Sequence, residues 1–349
     1  MMKHRDSVAR QIMKTVDTHT HLLNPQVRFD RLFDKVAVRF FARGLGMEPK
    51  VLRNAPYTGY VAAMAQAIRE SNYIEKACLF GVDCRLDERG RETGRDRTVC
   101  AMTEDVLKVA HEYPGQFIPF FSINPRRANA LDLMDEYVER GCRGAKFLQN
   151  YWGLNLNDER FIPYYKKLKN RKLPLIIHLG SEYSIKSDAR FERIDMLDTP
   201  LACGVTVIAA HMGLGRIQHK LRFWKNLSKD PADFDDDYFL LLDKLRKHHN
   251  LYADIAAILV PLRARALRHL TRQHDIHDKI LFATDYPVPF PVRFNSYDLP
   301  LATRKRIVKI QNPFDRYMAV ILEYFPEDNP IYNNHRKVLL EQQPIATPD

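Results

Sequence analysis

Cysteine is scarce in this chain of 349 residues. Cys78, Cys84, Cys100, Cys142 and Cys203 are scattered, odd in number and without a CxxC pair, which excludes a disulfide framework and argues against a cysteine metal site or nucleophile. Long apolar runs are missing too. None approaches the roughly 18 residues of a membrane span, so no membrane partner is expected. The basic opening MMKHRDSVARQIMK is followed by neither an apolar core nor a small-residue cleavage site. Reduced cysteines without a targeting segment lead to the expectation of a cytoplasmic protein. Internal repeats and low-complexity stretches are also absent, apart from the closing QQPIATPD.

What is present is ordinary globular material, 45% hydrophobic and 28% charged. The length suits one (β/α)8 barrel, which needs roughly 250 residues, with insertions; two small domains would also fit. The net charge of +11 comes from dispersed arginines rather than a basic helix. It favours a small anionic substrate over nucleic acid, which is not expected as a partner.

Strand-length apolar runs alternate with amphipathic stretches, the pattern of βα units on a parallel sheet. The runs are KTVDTHTHL (Lys14–Leu22), IEKACLFGV (Ile74–Val82), QFIPFFSI (Gln116–Ile123) and RGAKFLQ (Arg143–Gln149). They continue with LPLIIHLG (Leu173–Gly180), VTVIAAHMG (Val205–Gly213), NLYADIAAI (Asn250–Ile258) and KILFATDYP (Lys279–Pro287). TGYVAAMAQAIRESN, VCAMTEDVLKVAHEY and ANALDLMDEYVERG repeat apolar residues near every 3.6. Gly141 is placed to end the third, and Asn157 or Asp158 to cap the helix in DERFIPYYKKLKNRK. Eight alternations without a dividing linker predict an α/β fold, a single (β/α)8 TIM barrel domain over 1–349. Its core spans about 14–289, with a C-terminal helical extension over 290–349. Insertions at Asn24–Pro56 and Leu214–Asp237 follow strands, which in a barrel places them over the C-terminal face.

The strongest chemical signal is DTHTHL. Side chains two apart on a strand share a face, so Asp17, His19 and His21 line one face. Polar groups inside a barrel are costly to bury without partners. A divalent metal near the strand end resolves that cost, because neutral imidazole suits zinc, iron or nickel. Taken alone, the motif is weak and is better explained by two hydrogen-bonded histidines at a strand end. But His178, His211 and Asp285 also end apolar runs, at the strand tips where barrel catalysis occurs. From His21 to His178 is 157 residues, room for four units of about 40; His211 lies 33 further on and Asp285 another 74. These residues therefore fall on strands one, five, six and eight.

This arrangement resembles the amidohydrolase superfamily. GAKFLQNYWGLNLNDERFIPYYKKLKNRKLPLIIHLG, VIAAHMG and ILFATDYPVP are similar to its amidohydrolase-related branch, which includes aminocarboxymuconate-semialdehyde decarboxylase, resorcylate decarboxylases and lactonases. The resemblance covers about Lys14 to Pro289. It implies one divalent ion held by His19, His21, His178 and Asp285, most often Zn2+, with Mn2+ or Fe2+ as alternatives. It makes Asp285 the carrier of a proton from water to the leaving group. His211 would polarise a substrate carbonyl, stabilise an oxyanion or complete the metal shell.

Several residues keep two readings. Lys146 stands where some relatives carry a carbamylated lysine between two metals; an anion-binding, hydrogen-bonding or structural ion-pair role competes with that. Asp254 is either a partner for a histidine or a buried structural hydrogen-bonding group, and Asp17 likewise. Gln149, Tyr151 and Trp152 follow the fourth strand and either line the pocket or pack. Arg85–Arg97 sets five arginines against four acids, as solvated pairing or as one arginine reaching over the site. The pairs His248–His249 and His274–His277 read as surface residues.

The leading expectation is a metal-dependent hydrolase. It would act through a metal-activated water on an amide, ester or lactone bond of a small anionic substrate. The alternative on the same scaffold is non-oxidative decarboxylation of an unsaturated or aromatic acid. His19 stands where some decarboxylases have glutamate, and fits both. A TatD-like deoxyribonuclease is remoter, since those barrels usually carry an acid where Lys146 stands. Relatives often pair, so a homodimer using the C-terminal extension is a candidate assembly.

Overall fold

The computed structural model describes residues 13–26, 55–93, 101–182, 187–217, 221–290 and 298–339, with residues 42, 48, 50 and 292. Most of the insertion at 24–56, Cys100, the end of the arginine loop and the final residues 340–349 lie outside the described residues.

Eight parallel strands are laid down in the expected order: β1 (Thr15–His21), β2 (Ile74–Phe80), β3 (Phe117–Pro119), β4 (Ala145–Phe147), β5 (Leu175–Ile177), β6 (Val207–Ala209), β7 (Leu251–Asp254) and β8 (Ile280–Leu281). Each pairs with the next, for example Ala77 with Phe117, Ile176 with Ile208 and Leu281 with Asp254. Two joints complete the ring. Between β3 and β4, Phe121 bridges Ala145, and the Lys146 amide donates to the Phe121 carbonyl at 2.8 Å. Between β8 and β1, Thr20 bridges Tyr286, and the Asp285 amide donates to the His19 carbonyl at 2.9 Å. The strand order closes on itself, giving the TIM barrel.

Every expected strand exists, but all are shorter than their apolar runs. The reason is local. Beyond β5, β6 and β8 the chain leaves the ladder at once, so the polar ends of LPLIIH, VTVIAAH and KILFATD sit on irregular tips rather than in pleats.

The layers follow from the periodicity. Cys78, Phe80, Phe120, Ile176, Ile208 and Leu281 meet across the ring as one buried cluster, the barrel's interior filling. A larger cluster lies between strands and helices. Helix α1 (Pro56–Arg69) contributes Tyr60, Met64 and Ile68 to it, three to four residues apart. Pro56 at its first turn fixes a helical φ where no amide is needed. Helices α2 (Thr103–Glu112), α3 (Ala130–Glu139) and α4 (Ile162–Asn170) pack likewise. Gly141 follows α3 with φ +108°, and the Asp158 carboxylate caps the 3-10 turn ahead of α4 by accepting from the Arg160 amide. After β6 the main helix is Asp236–Lys247.

The C-terminal extension belongs to the same core. The Asn312 side chain caps the helix Pro313–Ile321, whose Tyr317 hydroxyl donates to the Ile255 carbonyl. Further on, Thr15 at the start of β1 donates to the Tyr332 carbonyl at 2.6 Å, and Val338 and Leu339 join the interior cluster. The chain end thus closes the face opposite the strand tips. Among the described residues, no helix is long and apolar enough to cross a membrane.

Two smaller expectations change. His277 is buried, its Nε2 bonding the Leu270 carbonyl at 3.0 Å, because the turn carrying it packs beneath Asn329 and Phe325. Asp17 lies before a register shift between Asp17 and Thr20, and its carboxylate turns to Thr284.

Gly180, two residues past His178, has φ +76°, and a Cβ there would lie 2.1 Å from the Leu214 carbonyl oxygen. Only glycine lets the loops after β5 and β6 approach this closely. Gly180→Ala is expected to cost roughly 1–3 kcal/mol, lowering Tm by roughly 2–4 °C per kcal/mol. A Tm equal to the parent's in thermal unfolding would refute that close approach.

Candidate metal centre

His19 occupies the middle of the first strand with no solvent exposure. Its Nδ1 bonds Asp254 Oδ2 at 2.7 Å. Burial pushes the Asp254 carboxyl up, yet it accepts three N–H bonds. The other two come from the backbone amides of His211, at 2.9 Å, and Ala256, at 3.1 Å. Bonding at Nδ1 leaves Nε2 of His19 to face the barrel mouth. There it lies 3.3 Å from Lys146 Nζ and 3.5 Å from Asp285 Oδ1.

His21 reaches the same place. Its Nε2 is 3.3 Å from Asp285 Oδ1, and both histidine rings stand edge-on to Phe80 at 4.8 Å. The His21 carbonyl accepts from the Tyr60 hydroxyl and its amide donates to the Tyr286 carbonyl, so α1 and the loop after β8 both hold its backbone. Asp285 itself has φ +67°. Burial opposes its ionisation, but the close approach of His21 and the positive charge of Arg263 outweigh it and hold the carboxyl below its ordinary range.

His178 and His211 form the other half. Their rings meet edge to face at 4.8 Å. His211 Nδ1 bonds the Ala256 carbonyl at 3.0 Å. A carbonyl only accepts, so the His211 proton is on Nδ1 and its Nε2 is an acceptor. That nitrogen lies 3.2 Å from His178 Nδ1, which therefore donates. His178 Nε2 is left as a bare lone pair, buried and without a partner. Burial, then neighbouring positive charge, holds His19, His178 and His211 well below the ordinary imidazole range, so all three are neutral near pH 7.

These atoms fit a cation. One donor each from His19, His21 and Asp285 lies within 4.8 Å of the others. Buried Asp285 Oδ1, His21 Nδ1 and His178 Nε2 have no hydrogen-bond partner. Neutral imidazoles and an ionised carboxylate are what a borderline dication takes. His178 stands outside this tight group of three, with its Nε2 buried and unbonded.

The remaining candidates separate. Lys146 is wholly buried, and its ammonium stands 5.3 Å over the Phe80 ring as well as beside His19. Trp152 packs edge-on against Phe147 and donates to the Asp83 carbonyl at 2.8 Å, so it supports the wall behind the site. Gln149 donates to the His178 carbonyl at 2.6 Å, and Tyr151 lies under Arg85. Arg91 pairs with Asp87 within the arginine loop. His211 has both ring nitrogens engaged, Nδ1 with the Ala256 carbonyl and Nε2 with His178. Two nearby residues carried no motif: Glu182, 4.0 Å from His178, and Arg263, whose only signal was its place after the seventh strand.

A ring of eight parallel strands with histidines and a carboxylate converging at its C-terminal mouth defines a metal-dependent TIM-barrel enzyme. The family model for amidohydrolases matches residues 16–303, and the chain belongs to that family, whose members are metal-dependent hydrolases or decarboxylases. No curated protein is significantly similar in sequence. Solved structures share the fold at low identity. A probable 2-pyrone-4,6-dicarboxylic acid hydrolase from Acinetobacter baumannii is 14% identical, with a TM-score of 0.50 over 94% of this chain and 99% of its own. A 2,6-dihydroxybenzoate decarboxylase from Rhizobium is 14% identical, with a TM-score of 0.51 over 94% and 99%. An amidohydrolase from Burkholderia multivorans with bound zinc is 12% identical, with a TM-score of 0.53 over 93% and 99%.

Asp254 fixes the His19 tautomer that puts the lone pair on Nε2. Asp254→Asn should therefore weaken zinc binding by about 10–100-fold, measured by competition with a chromogenic chelator, with the circular dichroism unchanged. Parent-like affinity in a folded variant would remove Asp254 from this role.

Proposed function

We propose that the chain hydrolyses an ester, lactone or amide bond in a small anionic substrate, with one zinc ion held by His19, His21, His178 and Asp285. The observation that carries this reading is the convergence of buried donor atoms without partners, on imidazoles kept neutral and a carboxylate kept ionised. When bound, a dication supplies Lewis acidity and lowers the pKa of water to roughly 7.

The chain's own groups do the rest. Asp285, ionised and 3.9 Å from His211 Nδ1 through Oδ2, accepts a proton at its carboxylate and returns it to the leaving atom. His211 acts through His178, fixing which nitrogen of that ring is free. Lys146 competes with a bound cation for the His19 Nε2 lone pair, and its charge favours an anionic substrate nearby. The same buried cation favours a carboxylate at the site in decarboxylation, which is the second reading.

A panel of lactones, amides and unsaturated acids offered to the zinc-loaded protein tests this, with proton release and CO2 release followed separately. We expect proton release from a lactone or ester without CO2. Asp285→Asn should lower kcat by about 10²–10⁴-fold while the fold survives. Undiminished turnover by that variant would remove Asp285 as proton carrier, and CO2 as the main product would establish the second reading.

A further inference from the structure

Arg263 lies on the short helix Pro261–Ala264, just after β7, and is 6% exposed. Its Nε donates to the Leu214 carbonyl at 3.4 Å and its Nη2 to the Ser181 carbonyl at 3.3 Å. Ser181 is three residues past His178, and Leu214 three past His211. The guanidinium therefore rests on the two loops that carry those histidines, at the mouth of the barrel.

Two long bonds to neutral carbonyls compensate a buried charge poorly. A guanidinium offers five N–H donors in a planar fork, and removing it from water without a counter-charge is costly. Arg265, two residues on, shows how this chain buries a structural arginine. Its guanidinium pairs with buried Asp235 at 3.0 Å and donates to the Asp233 carbonyl at 2.6 Å. Arg127 is matched the same way by Asp83 and Glu92. Among the described residues, no carboxylate lies within ion-pairing distance of Arg263, and its Nη1 makes no hydrogen bond to any of them.

The charge is also felt inside the site. After burial, Arg263 is the strongest influence keeping His211 neutral, and it acts on His178, Asp254 and Asp285 as well. A guanidinium so placed favours an anionic group on the substrate at the barrel mouth.

We infer that Arg263 is the residue that selects the substrate, pairing its guanidinium with a substrate carboxylate held between the loops after β5 and β6. This rests on the proposed hydrolytic site and names the chemical class it accepts: a small carboxylic acid rather than its neutral amide or ester. Carboxylate and guanidinium match as a two-point fork, which a lysine cannot reproduce.

The test compares benzoate with benzamide by calorimetric titration of the zinc-loaded protein. The parent should bind benzoate at least tenfold more tightly than benzamide. Arg263→Gln should abolish that preference while leaving benzamide affinity unchanged, which a general disturbance of the loops would not do. No preference in the parent, or an undiminished preference in Arg263→Gln, overturns the inference, because zinc or Lys146 would then account for any anion binding. If Arg263→Gln does not fold, Arg263→Lys decides: a ratio below the parent's supports a forked pair, and an unchanged ratio overturns it. Should the chain take up no zinc, the titration is run on the protein as purified. A failed metal reading then appears in the metal content, and a failed Arg263 role in the benzoate ratio.

Discussion

A carboxylate taken out of water must find donors for its oxygens, and Asp254 finds them in three places. It accepts from His19 Nδ1 on β1, and from the backbone amides of His211 after β6 and Ala256 after its own strand. This one group joins the two halves of the centre. It sets the tautomer of His19, so that Nε2 faces the mouth. It also holds His211 in place with φ +62°, a left-handed conformation that costs a residue with a side chain roughly 1–3 kcal/mol.

The same logic extends outward. His211, held by Asp254 and by the Ala256 carbonyl, fixes the proton on His178 Nδ1 and leaves the lone pair on its Nε2. Asp285 is a second left-handed residue, tied to β1 through the His19 carbonyl. Strain is thus concentrated at the strand tips that carry the polar groups, while the ring below is filled by Cys78, Phe80, Ile176, Ile208 and Leu281. The rigid, apolar ring carries the cost of a polar mouth. Burial also tunes the chemistry, because it holds His19, His178 and His211 neutral while the positive charge of Arg263 favours the ionised form of Asp285.

Sequence patterns carried much of this. The eight apolar runs became the eight strands in order, and the positions of His19, His21 and Asp285 at strand tips brought them within reach of one another. Strand ends were less legible. An apolar run does not report where the ladder stops, since irregular tips such as those at His211 and Asp285 stay buried and so keep apolar neighbours. His277 looked like a surface residue because its helical turn is polar, and it is buried by contacts with the distant Asn329 and Phe325. Trp152, whose place after β4 left pocket and packing both open, packs, its indole N–H drawn to the Asp83 carbonyl.

By itself, the amino-acid sequence determined the fold class, the order of the strands and the residue types gathered at their C-terminal ends. Those follow from local periodicity and from spacing along the chain, which need no knowledge of distant contacts. Only the tertiary structure decided which nitrogens of His19, His178 and His211 are taken up by hydrogen bonds, and that Arg263 lies on the two histidine-bearing loops with no acidic partner among the described residues. Each of those depends on hydrogen bonds and charges between groups tens or hundreds of residues apart, brought together when the ring closes between β8 and β1.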